Sequence, residues 1–356
     1  MHVPDGFLDL ATSVSTAAVS VGAVGLCLRR ARHEVELAGP AMPGLVSAFV
    51  FAVQMVNFPV GAGTSGHLMG GALAAALVGP ATAVVCLTVV LLVQALLFAD
   101  GGLTALGTNV LLMGVVTVVV GYGVMRLVAA VLPRRRWSVV AAGSAGALVS
   151  VPAAALVFVG LYAVGGSVPV PLGRLATAML GWHALIGVGE AVITGAVLAA
   201  VVASRPDLVR LARTTRAALP DLVVVGADGV RRPVAARGGR AVGPDRPDDD
   251  RDGAQEGARP GRGALAVALL VSLAVAGGLS LLASASPDGL ESVAGTLGFG
   301  TAAADSAVAA GPLADYAVAG LGGAAAPVLA GVAGVVATAV VGAAAFALAA
   351  RRRAAR

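Results

Sequence analysis

The sequence predicts an all-α polytopic membrane bundle: seven transmembrane helices with the N-terminus outside, then two C-terminal transmembrane helices. Three observations predict it. The 356 residues are 58% hydrophobic and 12% charged, with a mean hydropathy of +0.92, the composition of a polytopic membrane protein. Several apolar runs approach the roughly 20 residues that an α-helix needs to cross the hydrocarbon core. All 24 basic residues are arginines, and they cluster between the runs.

The first run, about 10–28, ends in Arg29-Arg30-Ala31-Arg32. A second, about 44–58, ends in Asn57-Phe58-Pro59 and leads through a glycine-rich stretch, Gly61 to Gly66, to His67. The third, 68–79, is short and meets Gly79-Pro80, where a full break and a re-entrant segment read alike. The fourth reaches Phe98, and the loop Ala99-Asp100-Gly101-Gly102 separates it from a fifth, about 105–130. A sixth, about 138–165, follows Arg134-Arg135-Arg136, and a Gly/Pro-rich connection leads to Trp182-His183. His183 opens the seventh helix, about 183–203, which closes with Arg205, Arg210, Arg213 and Arg216.

Cytoplasmic loops carry the excess of positive charge. With the N-terminus outside, the ends of helices one, five and seven all fall in the cytoplasm and all carry arginine clusters. Only Arg174 is left outside. A secretory leader needs a basic n-region, whereas residues 1–10 hold Asp5, Asp9 and no base. The N-terminus is expected to be mature as synthesised, with Met1 retained beside the bulky His2. The net charge of +5 is therefore a statement about topology and not about nucleic acid. With no lysine in the chain there is no P-loop, whose Lys contacts nucleotide phosphates.

Three segments follow from the composition. Residues 1–204 form the seven-helix domain. Residues 205–262, rich in Arg, Asp, Gly and Pro, read as a disordered cytoplasmic linker that cannot bury enough apolar surface to order itself. Within it, Val223-Val224-Val225 fits a short strand before the Asp228-Gly229 turn. Residues 263–356 supply helices at about 263–284 and 327–350 around an outer segment with four acids and no base. Cys27 and Cys86 lie inside apolar runs and read as small core residues.

The opening Met1-His2-Val3-Pro4-Asp5-Gly6-Phe7-Leu8 offers a chelate. The Met1 amine, the His2 amide nitrogen and the His2 imidazole close a five- and a six-membered ring around one ion, leaving a fourth in-plane position open. Topology brings His67 and His183 to the same outer face, and His67 can supply that nitrogen. Four nitrogens in a plane suit Ni(II) or Cu(II), whereas zinc prefers a tetrahedron; low-spin Co(II) also accepts the plane. The ordinary alternative is a polar residue near a terminus and an interfacial histidine. His33, beside the first arginine cluster, reads as a solvated loop residue. Gln54, Asn57, Gln94, Asn109 and Glu190 are costly inside a membrane, and serve either function or interhelical hydrogen bonds. Glu190 lies two turns from His183 on one face. Asp100 reads as shaping its loop.

Five stretches in order resemble the CbiM/NikM family. They are the first eight residues, Phe51 to Val60, Gly63-Thr64-Ser65-Gly66-His67, Gln94 to Gly102, and His183 to Ala191. The resemblance covers about 1–204. The part from about 262 resembles the companion NikN/CbiN subunit, through Pro287-Asp288-Gly289-Leu290-Glu291 and Asp315-Tyr316. The resemblance implies a substrate-binding subunit of an energy-coupling-factor importer for Co2+ or Ni2+ in a prokaryotic plasma membrane, with no nucleotide site of its own. It implies metal ligands at Met1, His2 and His67. Asn57, Ser65, Asp100, His183 and Glu190 are the residues expected around them, supporting the ligands or the fold. It also implies partners: a coupling membrane subunit of the CbiQ/NikQ type and cytoplasmic ATPases of the CbiO/NikO type.

Two other functions fit parts of the sequence. A metal permease that needs no ATPase differs only in its partners. An intramembrane serine protease of the rhomboid type would use Gly63-Thr64-Ser65-Gly66 with His183 as base to Ser65, and leaves the N-terminal motif unexplained.

Overall fold

The computed structural model describes residues 1–38, 41–212, 223–225, 231–233 and 262–354. Its helices are α1 (Leu10–Ala38), α2 (Ala41–Gln54), α3 (Gly71–Val78), α4 (Pro80–Leu97), α5 (Leu106–Val131), α6 (Arg136–Gly165), α7 (Leu172–Ser204), α8 (Arg262–Gly277), α9 (Gly289–Leu297) and α10 (Ala325–Ala354). Two hairpins accompany them: β1 (Phe58–Gly61) with β2 (Thr64–Gly66), and β3 (Val223–Val225) with β4 (Arg231–Pro233). Among the described residues seven helices are long and apolar enough to cross a membrane, five of them before residue 205 and two after residue 262.

The second and third predicted crossings are short. With 14 residues in α2 and 8 in α3, they rise about 21 and about 12 Å at roughly 1.5 Å per residue. The reason lies just before α3, where 67–70 forms neither helix nor strand and Gly70 turns the chain with φ +80°. Unwound backbone at membrane depth is tolerated only where its polar groups find partners inside the protein. Here the Glu190 carboxylate accepts from the Met69 and Gly70 N–H groups at 2.7 and 3.1 Å, and Gln54 Nε2 donates to the Met69 carbonyl at 2.8 Å. At the other end of α3, Gly79 turns the chain with φ +98° and Pro80 starts α4, a position where its missing N–H costs nothing.

Other boundaries differ from the sequence reading. The seventh helix starts at Leu172, so His183 lies well inside α7 and not at its opening. Gly173 and Gly181 do not break it, since membrane helices tolerate glycine. His33 is not in a loop: α1 continues past the arginines to Ala38, and His33 is an exposed residue of that helix. Most of 205–262 lies outside the described residues. Its beginning is packed, with Val209 and Leu211 buried and Arg210 3.8 Å from Glu34. The strand expected at Val223–Val225 forms and pairs antiparallel with Arg231–Pro233.

The two C-terminal crossings join the bundle. Helix α10 packs along α2 and α4, and α8 along α2 and α10. At Gly334 a Cβ would come within 2.0 Å of the Phe51 ring, so α10 and α2 meet through bare backbone. A second contact is made at the opposite end from Glu34 and Arg210. There Met1, Val3, Phe7 and Leu8 share a buried cluster with Leu290, Val293 and Phe299, around α9.

A candidate metal centre at the N-terminus

The first eight residues form a strap clamped along its length. Asn109 brackets Val3, accepting from its N–H at 2.8 Å and donating to its carbonyl at 3.1 Å. The Asp5 carboxylate accepts from the Leu103 and Thr104 N–H groups at 3.1 and 2.7 Å. Gly102 donates to the Val3 carbonyl at 2.9 Å, and a Cβ there would lie 2.2 Å from the Asp5 nitrogen. Gly6 has φ +89° and sits against the Ala302 carbonyl; only glycine takes both that conformation and that contact. Farther on, Ser167 donates to the Phe7 carbonyl and Asp9 to that of Gly165.

The strap delivers the Met1 amine to His67, whose Nε2 it contacts directly. Both groups are buried, at 3% and 5% exposure. His67 Nδ1–H donates to the Leu68 carbonyl at 3.1 Å, which leaves the Nε2 lone pair facing the amine. The His2 ring stacks on that of His67, with centroids 5.0 Å apart and planes 25° apart. Both ring nitrogens of His2 face oxygen acceptors, Nε2 the Gln94 Oε1 at 3.2 Å and Nδ1 the Asp100 Oδ1 at 3.1 Å; the carboxylate is the stronger acceptor. Burial lowers the pKa of His2, against the opposing charge of Asp100. Burial also holds His67 well below the ordinary histidine value, reinforced by the Met1 ammonium and His2. Neutral imidazoles are the form that binds metal.

Two carboxylates face these nitrogens. Asp288 Oδ2 lies 2.9 Å from the Met1 amine and 3.9 Å from His67 Nε2. Burial opposes its ionisation, yet the Met1 ammonium and His67 hold the Asp288 carboxyl far below the usual carboxylate range. The other is Asp100, whose Oδ2 accepts from the Tyr316 hydroxyl at 2.5 Å. Burial and the Asp100 charge keep that phenol protonated, well above its ordinary value. Tyr316 is stacked on Phe98 with centroids 4.8 Å apart, and it and Asp315 both take positive φ, 56° and 53°, a strained pair that aims the hydroxyl. A cavity of about 540 Å³ opens beside the group, lined among others by His2, His67, Asn57, Asp100, Asp288 and Glu291. No cluster of three His, Cys, Asp or Glu side chains spaced for a metal occurs among the described residues; the chelating set predicted here draws two of its nitrogens from the main chain.

The structure therefore brings Met1, His2 and His67 together, with His2 Nδ1 turned to Asp100. Asp100 does more than shape its loop, since its carboxylate touches His2. Glu190 supports the segment after His67, and Gln54 links it to Gln94, whose Nε2 donates to Gln54 Oε1 at 2.9 Å. Asn57 lines the cavity, and its carbonyl accepts from the Ser284 N–H at 2.8 Å. The Ser65 hydroxyl donates to the Ser286 carbonyl at 2.7 Å, whereas His183 Nδ1–H donates to Met179 at 2.8 Å within its own helix; no Ser65–His183 pair of the protease kind forms. Sequence reasoning missed Asp288 and Tyr316 as residues of this centre. Their signal was membership of the two motifs, Pro287 to Glu291 and Asp315-Tyr316, that carry the resemblance to NikN/CbiN, in a segment with acids and no base.

Comparison with known proteins bears on this geometry. Residues 2–208 match the family CbiM, the cobalt uptake substrate-specific transmembrane region, and residues 262–351 match the PDGLE domain. A protein of Haloquadratum walsbyi described as a metal transport protein is 38% identical over 209 residues, 59% of this chain and 93% of that one. The fused nickel transport protein NikMN of Rhodobacter capsulatus is 34% identical over 220 residues, 58% of this chain and 63% of that one. The cobalt transport protein CbiM of Sorangium cellulosum is 33% identical over 225 residues, 61% and 98% of the two chains. A crystal structure of a transition metal transporter is 31% identical with a TM-score of 0.49, covering 60% of this chain and 97% of that one.

Proposed function

Because the chain belongs to the CbiM family and carries a PDGLE part of the NikN kind, we propose that it is the substrate-capturing subunit of an energy-coupling-factor importer for Co2+ or Ni2+. The ion is held at the extracytoplasmic face by the Met1 amine, the His2 amide nitrogen and Nδ1, and His67 Nε2. The observation that carries this reading is the buried contact of the Met1 amine with His67 Nε2, with the His2 ring stacked alongside. Loading turns His2 Nδ1 from Asp100 to the ion and releases protons from the amine and the amide. Residues 1–204 form the capture domain and 263–356 the NikN-like domain, joined through 205–262. Release inward is driven by ATP hydrolysis on partner subunits of the CbiO/NikO type, transmitted by a CbiQ/NikQ-type membrane subunit. The arginine ends of α1, α5, α7 and α10 face the cytoplasm.

Binding of Ni2+ and Co2+ to the purified chain tests the site. His2→Ala, His67→Ala, or one extra residue before Met1 should each lower affinity at least about 100-fold, as loss of a chelating nitrogen or of the free amine requires. Undiminished affinity in all three sinks the site. Metal uptake by cells lacking coupling subunits would instead favour a permease that works alone.

A further inference from the structure

Two partners compete for His2 Nδ1. In this structure it faces Asp100 Oδ1 at 3.1 Å, and in the capture function proposed above it binds the ion. Loading therefore takes a donor away from a carboxylate whose side chain is only 25% exposed. Stripping a buried acceptor of its donor is costly, and more so when the acceptor is charged. Whatever stays bonded to Asp100 when His2 leaves therefore favours the loaded state.

One group is placed to stay. The Tyr316 hydroxyl donates to Asp100 Oδ2 at 2.5 Å, the oxygen that His2 does not face. Burial and the Asp100 charge keep the proton on that phenol. Gln94, whose Oε1 faces His2 Nε2, interacts with the same hydroxyl. Tyr316 thus meets both of the residues that flank the His2 ring.

The hydroxyl is fixed from two sides. The Tyr316 ring stacks on Phe98 with planes 19° apart, and the Phe51 ring lies 6.1 Å away. Asp315 N–H donates to the Phe98 carbonyl at 3.0 Å, and Ala317 N–H closes the turn on the Ala314 carbonyl at 3.2 Å. Ala99, between Phe98 and Asp100, has φ 57°, while Asp315 and Tyr316 have 53° and 56°. Non-glycine residues keep that conformation only where their surroundings over-determine it, and these three lie along one contact. We propose that Tyr316 is a positioning residue for loading: its hydroxyl holds Asp100 in place and remains its donor once His2 Nδ1 has turned to the ion. This deepens the capture function above and rests on it. The four nitrogens stay the ligands, and Tyr316 acts on the ion through Asp100. The NikN-like part thereby favours the loaded state without giving the ion a donor atom.

The test titrates NiCl2 into the purified full chain with a free N-terminus, in competition with a metal-binding dye, and records the visible absorption of the bound ion. Tyr316→Phe keeps the ring on Phe98 and removes the hydroxyl alone. It should weaken Ni2+ binding about 10-fold, the lower end of what losing an outer partner of a metal ligand costs, with the absorption band unshifted. Asp100→Asn should still bind Ni2+, and in that background Tyr316→Phe should change the affinity less than about 2-fold, because residues acting through one another are not additive. The same loss in both backgrounds would reduce Tyr316 to a packing or folding role and overturns the proposal. So does undiminished affinity in Tyr316→Phe, a shifted band, or an Asp100→Asn chain that binds no Ni2+. His67→Ala, run in parallel, separates the two claims. Retained stoichiometric Ni2+ there removes the capture site itself, whereas lost Ni2+ with an unaltered affinity in Tyr316→Phe removes only the role of Tyr316.

Discussion

His67 can present Nε2 to the amine because the Leu68 carbonyl holds its Nδ1 proton, and His2 can free Nδ1 on loading because Gln94 Oε1 stands beside Nε2 to accept a proton there. Such fixing of tautomers by the other ring nitrogen is how protein sites orient imidazole ligands. It makes the supporting residues testable. Glu190→Gln replaces a carboxylate that accepts two main-chain N–H bonds with an amide that can match both only imperfectly. Affinity for Ni2+ should fall about 10–100-fold, which a competition titration against a coloured chelator measures. The pH dependence follows from burial. His2 and His67 have folded pKa values below the ordinary 6.5, so the unfolded chain binds protons that the folded one refuses. Their contribution to stability is complete above pH 6.5 and is lost as pH falls below it toward the folded values. The Tm of the metal-free protein should therefore drop between pH 6.5 and 5, and less so in His67→Ala. Equal slopes would contradict the burial of a neutral imidazole.

At the scale of elements, the centre depends on what is not helical. The short α3 leaves 67–70 outside any helix, and the Ala99–Gly102 loop lets the N-terminal strap lie against it. The glycine at 102 allows that close approach. Gly102→Ala should push the strap away from Asp5 and abolish tight metal binding, while the helical circular dichroism of the purified chain stays unchanged. These features were only partly legible beforehand. The Gly79-Pro80 break and the glycine-rich stretch before His67 marked an interruption. That 61–66 would fold as part of a hairpin bonded to Ser286 and Pro287 had no local signal, because its partners lie some 220 residues away. His183 was expected at a helix opening because Gly and Pro were read as breakers, although a membrane helix tolerates them and α7 begins at Leu172.

At the scale of the molecule, the C-terminal part is a member of the bundle. Helix α10 reaches the α2 backbone at Gly334, where Phe51 fills the space a side chain would need. Gly334→Val should separate α10 from α2 through overpacking, which typically costs about 1–3 kcal/mol. The expected result is a lower Tm together with protease sensitivity in the 285–320 segment. An unaltered cleavage pattern would show that this segment is held without α10.

The sequence by itself determined the membrane class and marked Met1, His2 and His67, the residues proposed to bind the ion. Apolar length, arginine clustering and a histidine beside the terminal amine are local properties, readable without contacts. Only the tertiary structure decided which groups surround those nitrogens. Asp288, Tyr316, Glu190 and Asn109 reach the centre across long stretches of chain, and a carboxylate between two membrane helices looks the same in sequence whether it faces water or the buried amine of Met1.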